Sequence, residues 1–208
     1  MTRHKCFKIS LGVTAATIVV WMATCILYSC YVRCEAERCF RIFSRFRTGS
    51  STIEEATKAL RPFRRFEVDG TARLYGSDYP LHTYLFKNEG THLLEIFHPT
   101  YFQVGLTSRP DGVVIEMSAS LFQMPFHSVT TRESIVESQH IQALHDSSSG
   151  MIVSVFDPPM KMNVSLNPLA SDVVRKSAYG YDLACFTALH GCQTVYEILP
   201  TVKQHITK

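Results

Sequence analysis

From Ile9 to Val32, "ISLGVTAATIVVWMATCILYSCYV", the chain has no charged residue. A soluble core helix seldom lacks charge over about six turns, so these 24 residues are not read as an ordinary buried helix. Between Cys39 and Cys185 there is no cysteine, which excludes a disulfide framework through the middle of the chain. HExxH, a paired CxxC and G-x-S-x-G are also missing, and with them the local signatures of zinc peptidases, zinc modules and serine hydrolases. There is no large charge excess either: 21 Lys/Arg stand against 18 Asp/Glu, so the chain is no polycation. No internal repeat or low-complexity tract occurs, which leaves out solenoids and disordered linkers.

What is present begins with that uncharged run. As a helix it reaches roughly 36 Å, enough to cross a hydrocarbon core of about 30 Å. A cleaved secretory signal has an apolar region of only about 7–15 residues. A lipoprotein signal ending at Cys30 ("LYSC") meets the bulky Tyr28. Length therefore favours an uncleaved transmembrane helix over residues 9–32, after a short basic tail at 1–8. Gly12 and Ala16 form a small-xxx-small pair, compatible with a homodimer in the membrane.

The next stretch, residues 33–48, contains "RCFRIFSRFR". At 100° per residue Cys39, Ile42, Phe43 and Phe46 share one side, and Arg38, Arg41 and Arg45 the other. This pattern predicts a juxtamembrane basic amphipathic helix, with its rings at the bilayer interface and Arg38, Arg41 and Arg45 on lipid headgroups. Between Arg33 and Arg65 nine Lys/Arg face four Glu, so the remainder of the chain is slightly acidic. No nucleic-acid-binding motif accompanies the patch, and the lipid bilayer is the expected partner rather than nucleic acid.

Signals for the side of the membrane conflict. Arg3, Lys5 and Lys8 precede the span, whereas Arg33, Arg38, Arg41, Arg45 and Arg47 follow it, which favours a cytoplasmic C-terminus. A short basic tail before a long apolar run is, however, signal-anchor architecture, and long domains translocate largely regardless of charge. Cys185 and Cys192 lean the same way. With a helix ending near His190 and Gly191 as its left-handed C′ residue, Cys192 folds back within disulfide reach of Cys185. Two free thiols are the alternative. The expectation is a periplasmic or extracellular domain.

Along residues 49–208 a single domain is expected. Ser51-x-x-Glu54 reads as a capping box for a short helix to Leu60, stopped by Pro62. Strand-like runs follow: "FRRFEV", "TARLYG", "LHTYLFK" and "THLLEIFH", with turns at Asp69-Gly70 and Asn88-Glu89-Gly90. After Pro110-Asp111-Gly112, Val113, Ile115, Met117, Ala119 and Leu121 alternate with Glu116, Ser118 and Ser120, predicting one buried and one wet face. "MIVSVF" and "MKMNVSL" around Asp157-Pro158-Pro159 predict a hairpin. Asn167-Pro168 opens an expected helix through Val174, Ala178, Tyr181, Cys185 and Leu189, and "TVYEIL" a last short one. Strands in the middle and helices at both ends indicate an α+β domain with an antiparallel sheet.

"TGSSTIEEATKAL" resembles the Gly-Ser-Thr-x-Glu-Glu opening of small bacterial envelope proteins, including the outer-membrane-assembly lipoprotein and β-lactamase-inhibitor-like group. "YDLACFTALHGCQTVYEILP", with the upstream span, looks like single-pass membrane proteins of soil bacteria. The resemblance implies an anchored α+β domain and carries over no catalytic residues.

Nine histidines are present, but His92, His98, His127, His140, His145 and His190 lack ligand spacing, and neither metal nor cofactor is expected. Arg64, Arg65 and Arg73 could bind an anion or simply be solvated. The leading expectation is a non-enzymatic binding domain whose partner is another envelope protein. The alternatives are a hydrolase assembled only in three dimensions and a cytoplasmic-facing regulator.

Overall fold

The computed structural model describes residues 2–74, 77–88, 100–123, 127–135, 150–156, 161–187 and 191–202; the side chains of 2–11, 69, 73, 74, 77 and 185 lie outside that description. The expected strand at 91–98, the "DSSSG" loop before Gly150, the turn at 157–159 and His92, His98, His140, His145 and His190 also fall outside the described residues.

One unbroken helix, α1 (Thr2–Phe43), replaces the expected span followed by a separate juxtamembrane helix. No glycine or proline interrupts residues 13–43, and the two sequence patterns simply run on into each other. α1 is long and apolar enough to cross a membrane. Its surface changes at Cys25. Up to Thr24 every described side chain is exposed, whereas Cys25, Ser29, Val32, Ala36, Cys39, Phe40 and Phe43 form a buried stripe at three- and four-residue spacing. The rings expected at the bilayer interface are therefore in the protein core. Phe40 meets Phe102 edge-on at 5.4 Å and Tyr181 at 5.5 Å, geometries that the ring quadrupole favours.

Seven strands form one sheet in the order β1-β2-β3-β4-β5-β7-β6. They are β1 (Glu67–Leu74), β2 (Ser77–Lys87), β3 (Thr100–Ser108), β4 (Val114–Gln123), β5 (His127–Ser134), β6 (Met151–Phe156) and β7 (Lys161–Leu166). All neighbours are antiparallel except β5 and β7, which are parallel. The α+β class holds, with a mixed sheet. The expected β6–β7 hairpin is present, pairing Met151 with Leu166 and Phe156 with Lys161. Asp69-Gly70 lies inside β1 rather than at a turn, and Phe63–Phe66 belongs to a 3-10 turn (Arg61–Phe66) rather than to a strand.

In β4 the predicted wet face is not wet: Glu116 and Ser120 are buried along with Ile115, Met117, Ala119 and Leu121. β4 is the central strand of seven, so neighbours flank it on both sides. Polar partners compensate. Ser120 Oγ donates to Thr130 Oγ1 at 3.1 Å, and Arg132 stands 3.3 Å from Glu116.

Helix α2 (Ile53–Leu60) starts one residue later than the capping box implied. Thr52 is the N-cap, its hydroxyl accepting from the Glu55 amide, while Ser51 Oγ accepts from the Arg47 amide. Asn167 does not cap a helix either. It forms a local turn to Leu169 and Ala170, and α3 (Asp172–Ala178) begins after Ser171. The long helix expected to reach Leu189 ends at Ala178 with Tyr179 as its C-cap; just beyond, Gly180 lies against Thr201, whose Oγ1 is 2.4 Å from where a Cβ would stand. A 3-10 turn (Ala184–Phe186), α4 (Val195–Ile198) and a final 3-10 turn (Pro200–Val202) complete the chain.

The core joins α1 from Val32 onward, both 3-10 turns around Phe63 and Phe186, the inner sheet face (Phe86, Phe102, Leu106, Met117, Leu121, Met162) and the C-terminal Val195, Ile198 and Val202. The core is thus not confined to residues 49–208. Phe43→Ala, which empties a fully buried ring site, is expected to destabilise by about 3–5 kcal/mol. Arg45→Ala, on the exposed side of the same chain, should stay within about 0.5 kcal/mol. Denaturant unfolding of the detergent-solubilised protein compares the two.

Candidate functional site

Two charged constellations stand out, and they differ in whether their charges are satisfied. The first joins α1 to the sheet. Glu133 on β5 points to the core face and is fully buried. Its Oε1 accepts from the Thr48 amide at 3.2 Å and the Thr48 hydroxyl at 2.8 Å, and its Oε2 accepts from Arg175 Nε at 2.9 Å. Arg175, on α3, also donates to the carbonyls of Ser44, at 2.7 Å, and Phe46. Those carbonyls follow the end of α1, where a cation complements the helix dipole. The guanidinium stacks 5.1 Å from the Tyr179 ring. Each guanidinium nitrogen of Arg175 has an acceptor within the protein, and the cluster reads as a latch rather than a receptor. A buried ion pair broken on one side leaves a bare charge. Arg175→Leu and Glu133→Leu should each destabilise by about 3–5 kcal/mol. The double variant should lose less than the sum, a coupling that a double-mutant cycle in denaturant measures.

The second constellation is a groove of about 640 Å³ lined by Glu54, Thr57, Lys58, Arg61, Arg64, Glu67 and His82. Its geometry follows from spacing. Residues 54, 57, 58 and 61 recur at i, i+3, i+4 and i+7, so they share one face of α2 and the turn after it. The 3-10 turn carries Arg64 onto the same side, and β1 and β2 supply Glu67 and His82, with His82 Nδ1 3.1 Å from Glu67 Oε1. Outside the groove most described arginines are paired: Arg33 with Glu37, Arg38 and Arg65 with Glu35, Arg47 with Asp172, Arg109 with Asp111, Arg132 with Glu116 and Arg175 with Glu133, while Arg41 and Arg45 on the exposed side have no ion pair among the described residues. Lys58, Arg61 and Arg64 make no ion pair among the described residues, although Glu54 and Glu67 line the same groove.

The residues singled out by sequence are scattered. Arg38 is exposed and paired with Glu35 at 2.8 Å, Arg41 is exposed farther along α1, and Arg45 is exposed in the turn after it. Arg64 lines the groove, Arg65 does not, and the Arg73 side chain lies outside the described residues. Gly191 does adopt the expected left-handed conformation, with φ +66°. The Gln123 amide occupies the space where its Cβ would be, and Gln123 Oε1 accepts from the Cys192 amide at 2.8 Å. Cys192 is buried; the Cys185 side chain and residues 188–190 lie outside the described residues. Cys25, Cys30, Cys34 and Cys39 are free. Burial, and after it the Glu35 carboxylate, push the Cys39 thiol up to about 12, so it is no thiolate nucleophile near neutrality. Burial also raises the Tyr181 phenol, whose hydroxyl donates to the Ala119 carbonyl at 2.7 Å. Among the described residues no three His, Cys, Asp or Glu side chains are grouped to hold a metal ion.

The groove could have been found in the sequence from the i, i+3, i+4, i+7 pattern in "EEATKALRPFRR". Its acidic and histidine wall could not, because Glu67 and His82 meet only through the β1–β2 register. No protein-family model, curated protein or solved structure matches this chain. The likeness to bacterial envelope proteins thus rests on the motifs at 48–60 and 181–200 alone.

Proposed function

We propose that this is a single-pass, membrane-anchored binding protein with a non-enzymatic domain, and that the Lys58–Arg61–Arg64 groove receives an acidic segment of another envelope protein. The observation that carries the reading is the contrast in pairing. Most arginines of the domain have a carboxylate partner, whereas three cations aligned along one groove have none among the described residues. Unsatisfied like charges in a concave surface attract an opposite charge and speed its arrival. The groove contains one histidine rather than the convergent set that acid–base hydrolysis calls for, so binding is preferred to catalysis. In fluorescence anisotropy, full-length protein in phosphatidylcholine nanodiscs should bind a labelled hexaglutamate peptide, and more weakly as salt rises. Arg61→Glu with Arg64→Glu should weaken binding at least about tenfold, or about 1.4 kcal/mol. Lys161→Glu, on β7 far along the sheet order, should not. Equal binding by all three proteins would remove the groove from the function.

The domain is proposed to be translocated, with Cys185 and Cys192 joined. Such a bridge closes a short loop and stabilises by roughly 2–3 kcal/mol, and it persists only in an oxidising compartment. Thiol labelling of denatured protein from intact cells should leave Cys185 and Cys192 unmodified until reductant is added, while Cys30 and Cys34 react at once. Free labelling of all four would place the domain on the reducing side.

A further inference from the structure

Sixteen residues, Ile9 to Thr24, separate the start of the uncharged run from Cys25, the first buried side chain among the described residues of α1. At 1.5 Å per residue they cover about 24 Å, short of a hydrocarbon core of about 30 Å. The next two turns, Cys25–Val32, therefore serve as span and as domain interface together. Their two sides show both roles. Ile26, Leu27, Tyr28 and Tyr31 are exposed, with Leu27 at 70%, while Cys25, Ser29 and Val32 are buried against the domain.

A length of about 30 Å from Ile9 ends near Ser29, and Ser29 is where the domain is tied to the helix. Its Oγ donates to Asn88 Oδ1 at 2.7 Å, and Asn88 Nδ2 donates to the Phe186 carbonyl at 2.6 Å. Around this point Arg33 reaches Thr187 Oγ1 at 3.2 Å, and the Arg65 guanidinium lies 5.3 Å over the Tyr31 ring. Next to Asn88, Lys87 pairs with Tyr101, which pairs with Phe122, a single row across the outer face of the sheet. Lys87 is exposed, and the two rings are half-buried. A cation beside amphipathic aromatics is the composition found at headgroup depth.

We infer that the domain is seated in the bilayer surface, with the Lys87–Tyr101–Phe122 row and Thr187 in the interfacial layer of the leaflet from which α1 emerges. This inference rests on α1 being a span. The headgroup layer is about 5–7 Å thick on each side, and for a helix along the membrane normal Arg41 stands about 18 Å beyond Ser29, with Arg45 past the helix end. Headgroup contact accordingly passes to Arg33, Arg65 and Lys87. The lipid surface becomes a second partner of the domain, beyond its covalent tether.

Tryptophan quenching tests this in full-length protein reconstituted into phosphatidylcholine–phosphatidylglycerol vesicles. Native Trp21 reports the span: quenching by deeply brominated lipid and shielding from iodide are expected. In a Trp21→Phe background, Lys87→Trp reports the proposed seat. Val173→Trp, on α3 beside the Asp172 that pairs with Arg47, reports the distal end. Both positions are exposed, and circular dichroism matching the parent establishes the fold. Lys87→Trp should be quenched by headgroup-nitroxide lipid and be several-fold less open to iodide than Val173→Trp. Equal iodide access at the two positions, with Trp21 still shielded, would overturn the seated domain while leaving the span intact. A Trp21 open to iodide would overturn both.

Discussion

Arg175 holds the carbonyls at the end of α1 with one edge and the carboxylate of Glu133 with another, and the rest of the architecture depends on that grip. Without it the chain leaving α1 would be tied to β5 through Thr48 alone, and the Phe40–Phe43 stripe would be held to the sheet by packing only. The charges are buried, so their contribution is geometric before it is energetic: a carboxylate and a guanidinium in a dry interior tolerate few arrangements. Thr48 completes the set by filling the second carboxylate oxygen. Apolar packing supplies most of the stabilisation, and the latch decides where that packing happens.

The uncharged run and the amphipathic segment after it were legible because each rests on a local period. What was not legible was their continuity and the destination of the rings. An aromatic stripe looks the same to a sequence reader whether a bilayer or a sheet covers it; here Phe102 and Tyr181, distant in sequence, decided. The β6–β7 hairpin was readable from clean alternation. β4 misled because its alternation is real, but side chains of the neighbouring strand, Thr130 and Arg132, lie over Ser120 and Glu116 on the outer face. The 168–189 region misled through a plausible helical period; the helix stops at Ala178, just before Gly180. Capping motifs were off by one residue, Thr52 for Ser51, since two hydroxyls compete for neighbouring amides.

The two charged clusters divide along a similar line. The cations of the groove lie within seven residues of one another on a helix and its following turn, so the basic side is a local property of the sequence. The latch is wholly non-local, assembled from residues 44–48, 133 and 175. Composition could not reveal it: a lone Glu in a strand of Thr, Arg and Ser looks solvent-facing until the parallel β5–β7 pairing fixes which face it occupies.

The earliest and latest parts of the chain close the same core, Val32 to Phe43 at one end and Val195 to Val202 at the other. Synthesis emits them in that order, about 8–30 s apart at 5–20 residues per second for the 159 residues from Phe43 to Val202. During that interval the aromatic stripe of α1 has no cover from the C-terminal elements. A chain halted shortly before Arg175 would lack both the latch and the core residues Val195, Ile198 and Val202. The residues from Arg175 to Val202 must therefore be made before the buried face of α1 is fully covered.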